Sequence, residues 1–216
     1  MSPAWTDVVI VGAGGQGLIV ADILLAAAAA GDAVRALGFV DDKSAIHGTE
    51  VLGLPVLGSL ASLSTIPHDG IVVAVGDNRR RRTLTEELAR TGETLVAARH
   101  PSSSIARGVE LKPGTMVSAG VVVTPMVCLG MSVLLNTRSS IDHQSSIGDF
   151  VHVAPGVTIG ANVIVGDEVL LGLGSSIMSG CRIGARTVVG AGAVVVRDLP
   201  TDVLALGVPG RVMPRT

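Results

Sequence analysis

Every sixth residue from Ile105 to Val195 is Ile, Leu or Val: sixteen positions, with no insertion. A second track lies four residues after each. It runs from Val109 through Thr115, Ser139, Ser145, Ser175, Cys181, Thr187 and Ala193 to Leu199, and only Leu199 is larger than valine. Neither the 3.6-residue period of a helix nor the two-residue period of a strand produces a clean period of six. A short fixed repeat of this kind marks a hexapeptide β-helix. Each hexad supplies one short strand and a corner, and three hexads close a coil, so the stretch makes about five coils. Both tracks pack inward. No coil buries its apolar face alone, so stacked neighbours make the core. Glycine follows the aliphatic residue at Gly130, Gly148, Gly160, Gly166, Gly172, Gly184 and Gly190. At corners, glycine reaches backbone conformations that other residues resist.

The remainder of the 216 residues reads as a smaller βαβ-type domain. Residues 7–11 form a buried strand ended by glycine, and a helix follows over about 16–30, stopped by Gly31. Strands follow at 36–40, 50–57 (short, or a loop) and 71–75. Asn78 is a candidate cap for a helix running to Arg90, and 95–98 is a short last strand. The expected domains are 1–98 (Rossmann-like α/β), 99–206 (β-helix) and a tail, 207–216, over the last coil.

The only aromatic residues are Trp5, Phe39 and Phe150, and the formal net charge is −2. That argues against nucleic acid, which needs stacking platforms and basic patches. The basic run Arg79–Arg82 reads as a solvated helix face. Cys128 and Cys181 suit a reducing compartment better than a disulfide framework. No signal-peptide plan and no span of bilayer length is visible, so a soluble cytoplasmic protein is expected.

Gly12, Gly14 and Gly17 match G-x-G-x-x-G between a strand and a helix, where glycine lets backbone approach a pyrophosphate. Asp41 and Asp42 end the second strand, where a ribose-binding carboxylate belongs. Three readings stay open for this turn: a nucleotide-sugar site, a structural tight turn, and an NAD site. Of the five histidines, His47, His68 and His100 fall in loops or at the domain boundary and read as solvated. His143 and His152 lie on neither inward track, so both project from the coil. They are nine residues apart, half a coil, and oligomer packing is what could bring such groups together. Only these two lie inside the repeat, so no metal site is expected.

The motifs together resemble the sialic acid O-acetyltransferase (NeuD) family, and within it the PglD and perosamine-type nucleotide-sugar N-acetyltransferases. They are Val-Val-Ile-Val-Gly-Ala-Gly-Gly at 8–15, Phe-Val-Asp-Asp at 39–42, Ala-Val-Gly-Asp-Asn at 74–78, Leu-Asn-Thr at 135–137, Ile-Asp-His at 141–143, His-Val-Ala-Pro-Gly at 152–156 and Gly-Val-Pro at 207–209. The resemblance implies a left-handed helix and a homotrimer with acetyl-CoA between adjacent solenoids, and no metal. It implies a nucleotide-linked amino sugar on the N-terminal domain. His143 matches the catalytic base, and the backbone N–H near Ala161 the oxyanion-stabilising position. Asn136, His152, Leu173 and Ala191 fall at acetyl-CoA positions. Gly14, Gly15, Asp41, Asp42 and Gly76 fall at nucleotide-sugar positions.

Two residues depart from the pattern. Gln144 stands where an acid usually follows the base, and Gln16 where a histidine is common in the sugar loop. An amide can orient an imidazole, but it cannot stabilise an imidazolium as a carboxylate does. The leading expectation is N-acetylation of a nucleotide-linked amino sugar in surface glycan synthesis, by direct transfer. The alternatives are O-acetylation of a sialic acid or other sugar, a non-catalytic trimeric sugar-nucleotide sensor, and a nicotinamide-dependent oxidoreductase.

Overall fold

The computed structural model describes residues 6–213, which divide into two compact units between Pro101 and Ser102. Trp5 and the last residues of the tail, 214–216, lie outside the described residues.

The first unit is a Rossmann-like α/β domain built on a five-stranded sheet. Its elements are β1 (Thr6–Val11), α1 (Gly15–Ala29), β2 (Val34–Val40), β3 (Glu50–Val51), β4 (Leu54–Gly58), β5 (Gly70–Val73) and α2 (Asn78–Arg90). The sheet order is β3-β4-β2-β1-β5, parallel except for the β3–β4 hairpin. The Val-Val-Ile-Val run of β1 is wholly buried, as a central parallel strand covered on both faces must be. Val9, Val11, Val40, Ile71, Val73 and Leu84 pack as one cluster.

Several local expectations change here. The N-cap of α2 is Asp77, whose carboxylate accepts from Arg80 N–H at 2.7 Å. Residues 95–98 do not form a strand: Leu95 makes one bridge to Ile71, and Ala98–Arg99 pair instead. The arginine run is not a uniformly solvated face. Arg81 is 0% exposed and donates to the carbonyls of Val75 (3.0 Å) and Gly76 (3.3 Å) and to Asn78 Oδ1 (2.9 Å). A planar guanidinium with several fixed donors can satisfy a turn's carbonyls while buried, and this one ties the β5–α2 turn to the helix. His68 is not solvated either. Its side chain is 10% exposed, with Nδ1 at 2.7 Å from the Ile66 carbonyl and Nε2 at 2.7 Å from Glu93. Burial opposes its charged form, but these acceptors outweigh that and raise its pKa.

The second unit is a left-handed parallel β-helix. The strands from Met116–Val117 to Val194–Val195 are two residues long and pair with strands eighteen residues away: Leu134 with His152, His152 with Leu170, Ser140 with Thr158, Ser146 with Ile164. That register is three hexads per coil. Both inward tracks are buried from Val117 onward, in one continuous cluster. Each fully buried Ile or Leu contributes about 1.5–3 kcal/mol. A backbone hydrogen bond contributes about 1 kcal/mol net, so the inner stack dominates over two-residue strands. On the inner track Ser145 Oγ donates to Gly160 O at 3.0 Å, whereas the Ser139 and Ser175 hydroxyls are buried with no hydrogen-bond partner among the described residues.

The glycines after the aliphatic track are needed for a different reason than conformational freedom. A Cβ on Gly148 would sit 2.8 Å from Asp167 N on the next coil, so side chains are excluded by close stacking. The left-handed corner conformation falls two residues later, and there the chain tolerates non-glycine residues such as Gln144 and Asn162, both at φ 58°. After the last coil, Leu204–Leu206 continues one face, and Arg211–Met213 returns antiparallel to it.

Candidate functional site

The two units carry separate candidate sites. In the first unit, the chain leaves β1 through Gly12 (φ 104°) and enters α1 at Gly15. The glycines divide by role. A Cβ on Gly17 would run into the Gly12 carbonyl, so Gly17 is required for the helix to sit against the turn. Gly14, Gly15 and Gly76 face open space within 4 Å. No packing contact excludes a side chain from those three positions, whereas a ligand approaching the backbone would. The N-cap, Gly14, offers no side-chain acceptor, and α1 has no acidic residue in its first turn. A helix end of that kind attracts an anion.

Asp41 holds this turn in place. Its Oδ2 accepts from Ala13 N–H at 2.8 Å, its Oδ1 from Lys43 N–H at 2.9 Å, and its own carbonyl lies 2.7 Å from His47 Nε2. His47 is therefore half-buried and bonded rather than simply solvated. Asp42 Oδ1 accepts from Leu60 N–H at 3.1 Å. Both carboxylates line a cavity of about 190 Å³ with Gly12, Leu60, Arg80 and Leu84. Gly14, Gly15, Gln16 and Gly76 do not line it. Arg80 and the apolar walls escaped sequence reasoning. The available signal was Arg80's place in the first turn of α2, directly after β5.

In the second unit, His143 is exposed at a corner of the coil, directly after Ile141 on the buried track and Asp142. Its Nδ1 lies 3.1 Å from Gln144 Oε1. An amide oxygen accepts, so Nδ1 carries the proton and Nε2 holds the lone pair. Asp142 does not reach the ring. It accepts from His143 N–H at 2.8 Å and from the Thr124 hydroxyl at 3.2 Å. The His143 N–H, with the hydroxyl's help, lowers the pKa of the Asp142 carboxyl.

One coil on, at the same corner, Ala161 N–H points at Ser179 Oγ at 3.1 Å. This donor is thus engaged by a hydroxyl of the following coil, which the sequence did not reveal. Asn136 is buried, with Oδ1 accepting from Thr137 N–H at 2.8 Å. Leu173, 59% exposed, and Ala191 stack eighteen residues apart at another corner, while His152 is half-buried between Leu134 and Leu170. His143 and Ala161 therefore share one corner, and Leu173 and Ala191 share another. No helix among the described residues is long and apolar enough to cross a membrane.

Known proteins share this fold. Residues 7–88 match the PglD N-terminal domain family. Perosamine N-acetyltransferase from Caulobacter crescentus, solved with CoA and GDP-perosamine, is 36% identical over 100% of both chains, with a TM-score of 0.90. The acetyltransferase domain of PglB from Neisseria gonorrhoeae, solved with acetyl coenzyme A, is 32% identical over 97% of this chain and all of that one, with a TM-score of 0.89. A serine acetyltransferase from Synechococcus elongatus is 30% identical over 116 residues; the match spans 46% of that protein, about half its length. A Rossmann-like unit followed by a left-handed β-helix is thus the architecture of an acetyltransferase. The chain belongs to the PglD/perosamine-type acetyltransferases.

Proposed function

We propose that the protein transfers an acetyl group from acetyl-CoA to the amine of a nucleotide-linked sugar, with His143 as general base. The observation that carries this reading is the exposed imidazole whose Nδ1 is held by Gln144, leaving Nε2 as the acceptor. Nε2 takes the proton as the sugar nitrogen attacks the thioester carbonyl. The new C–N bond forms, the C–S bond breaks, and the proton passes to the departing CoA thiolate. Transfer is direct, with no acyl-enzyme. Ala161 N–H is the proposed donor to the oxyanion. A hydroxyl rotates and yields readily, so the carbonyl oxygen competes with Ser179 for that donor.

The uncapped turn at Gly14 and Gly15 would take the diphosphate, with Gln16 and Gly76 beside the sugar. Asp41 and Asp42 flank the nucleoside. Acetyl-CoA is the co-substrate, contacted by Asn136, His152, Leu173 and Ala191. The corner bearing His143 and the one bearing Leu173 differ, so one chain does not present both to a single ligand. A homotrimer that sets one chain's His143 corner against the next chain's Leu173 corner supplies both, and it covers exposed Leu173. A cytoplasmic enzyme of bacterial surface glycan synthesis is the corresponding setting.

Acetyl-CoA consumption with a panel of UDP-, GDP- and dTDP-amino sugars tests this. Turnover with at least one amine acceptor is expected. Tight sugar-nucleotide binding with no turnover on any of them would make the protein a sensor instead.

A further inference from the structure

The turn between β5 and α2 is fixed from its buried side. Arg81 is fully buried, and its guanidinium donates to the carbonyls of Val75 and Gly76 and to Asn78 Oδ1. A buried cation is a costly way to fill space. What it supplies, and an aliphatic side chain would not, is a pair of anchored carbonyls. In a trans peptide the C=O and the N–H that follows it point in opposite directions. With the Gly76 carbonyl drawn to the guanidinium, the Asp77 N–H is turned away from it. That N–H makes no hydrogen bond among the described residues. The Asp77 carboxylate is occupied, accepting from Arg80 N–H at 2.7 Å. Gly76 itself faces open space. The same turn abuts the glycine turn: a Cβ on Gly12 would lie 3.0 Å from the Ala74 carbonyl oxygen. On either side of it, Val75 and Arg80 line the cavity that also takes in Asp41 and Asp42.

We propose that Arg81 is a positioning residue for the nucleotide-linked sugar: it holds the Gly76–Asp77 peptide so that the Asp77 N–H donates to an oxygen of the sugar. This rests on the nucleotide-sugar reading above. Gly76 carries no side chain to cover that N–H. The sugar, rather than the nucleoside, is the partner because the nucleoside's cavity takes in Val75 and Arg80 but neither Gly76 nor Asp77. Arg81 touches no substrate and acts only through the peptide it anchors. A lysine would carry the charge, but not the planar fork that reaches both carbonyls and Asn78 at once.

The test uses whichever UDP-, GDP- or dTDP-amino sugar turns over fastest, beside the matching bare nucleoside diphosphate. Arg81→Met keeps the bulk and removes the donors. It is expected to raise KM for the sugar nucleotide about 3–10-fold, the loss of one hydrogen bond. Turnover at saturation and KM for acetyl-CoA should stay within about twofold, and Arg81→Lys should recover part of the loss. A purely structural arginine would instead lower the amount of active enzyme and leave KM alone. A second pair of variants avoids the buried position. Asp77 has φ −69°, which proline adopts. Asp77→Ala removes the helix cap, and Asp77→Pro removes the cap and the N–H. The proline variant should bind the sugar nucleotide about 3–10-fold more weakly than the alanine variant, with no difference between them for the bare diphosphate. A wild-type KM in Arg81→Met, equal affinities in the two Asp77 variants, or the same difference with the bare diphosphate would overturn the proposal alone. A wild-type protein that binds no amino-sugar nucleotide would overturn the nucleotide-sugar reading itself.

Discussion

The α/β unit and the solenoid present their candidate groups in opposite ways. In the solenoid, repetition places side chains. His143, Ala161 and Ser179 fall at one corner because the register advances eighteen residues per coil. In the α/β unit, long-range bonds place them. The glycine turn is held by a carboxylate twenty-eight residues away, Asp41 on Ala13. The first region therefore tolerates change at exposed corners and resists it where coils stack. The second depends on a few specific partners.

Removing one such partner should produce the largest stability effect. Asp41→Ala leaves the N–H groups of Ala13 and Lys43 without their acceptor, at about 1–3 kcal/mol for each that stays buried. Chemical denaturation should show the loss, together with weakened nucleotide-sugar binding. A stability change below about 0.5 kcal/mol would mean solvent replaces the carboxylate and the turn needs no brace.

Next comes a pair of identical substitutions in the two regions. Gly148→Ala forces a methyl into the next coil and should destabilise by about 1–3 kcal/mol. Gly14→Ala meets open space, so the melting temperature should hold while nucleotide-sugar affinity falls. If Gly14→Ala bound the sugar nucleotide normally, the turn would be structural only.

Gln144 offers a smaller effect. Gln144→Ala removes one orienting hydrogen bond and should lower kcat by about tenfold or less. Gln144→Glu keeps an acceptor on Nδ1 and should retain more of the rate than Gln144→Ala. Equal rates in wild type and Gln144→Ala would detach residue 144 from the base.

The smallest effect concerns His68. Its raised pKa stabilises the fold fully below the ordinary value of 6.5, and that contribution is lost as pH rises through the folded-state value. The stability difference between wild type and His68→Gln should thus be greatest below pH 6.5 and shrink above it. A difference that does not vary with pH would show that the Glu93 contact carries no charge.

These contrasts explain what could be read from the chain beforehand. The solenoid was legible almost to the residue, because one local rule repeats and a slip would expose a whole track. The place of His143 followed from the same rule. Its partners did not: the Ser179 hydroxyl on Ala161 N–H depends on which side chain happens to occupy the next coil. In the α/β unit the strand–glycine–helix order was visible, but the burial of Arg81 was not. A run of four arginines looks like a solvated face, and only the carbonyls of Val75 and Gly76 in the preceding turn make a buried guanidinium favourable. The glycines after the aliphatic track were correctly placed and wrongly explained, since stacking distance rather than φ demands them.

The central claim is that an imidazole on an exposed β-helix corner performs the proton transfer. Single-turnover acetyl transfer by His143→Ala, measured beside acetyl-CoA binding, tests it most directly. The account predicts a rate about 10²–10⁴-fold lower, with acetyl-CoA binding essentially unchanged. A variant that binds the thioester and acetylates at the wild-type rate would contradict it.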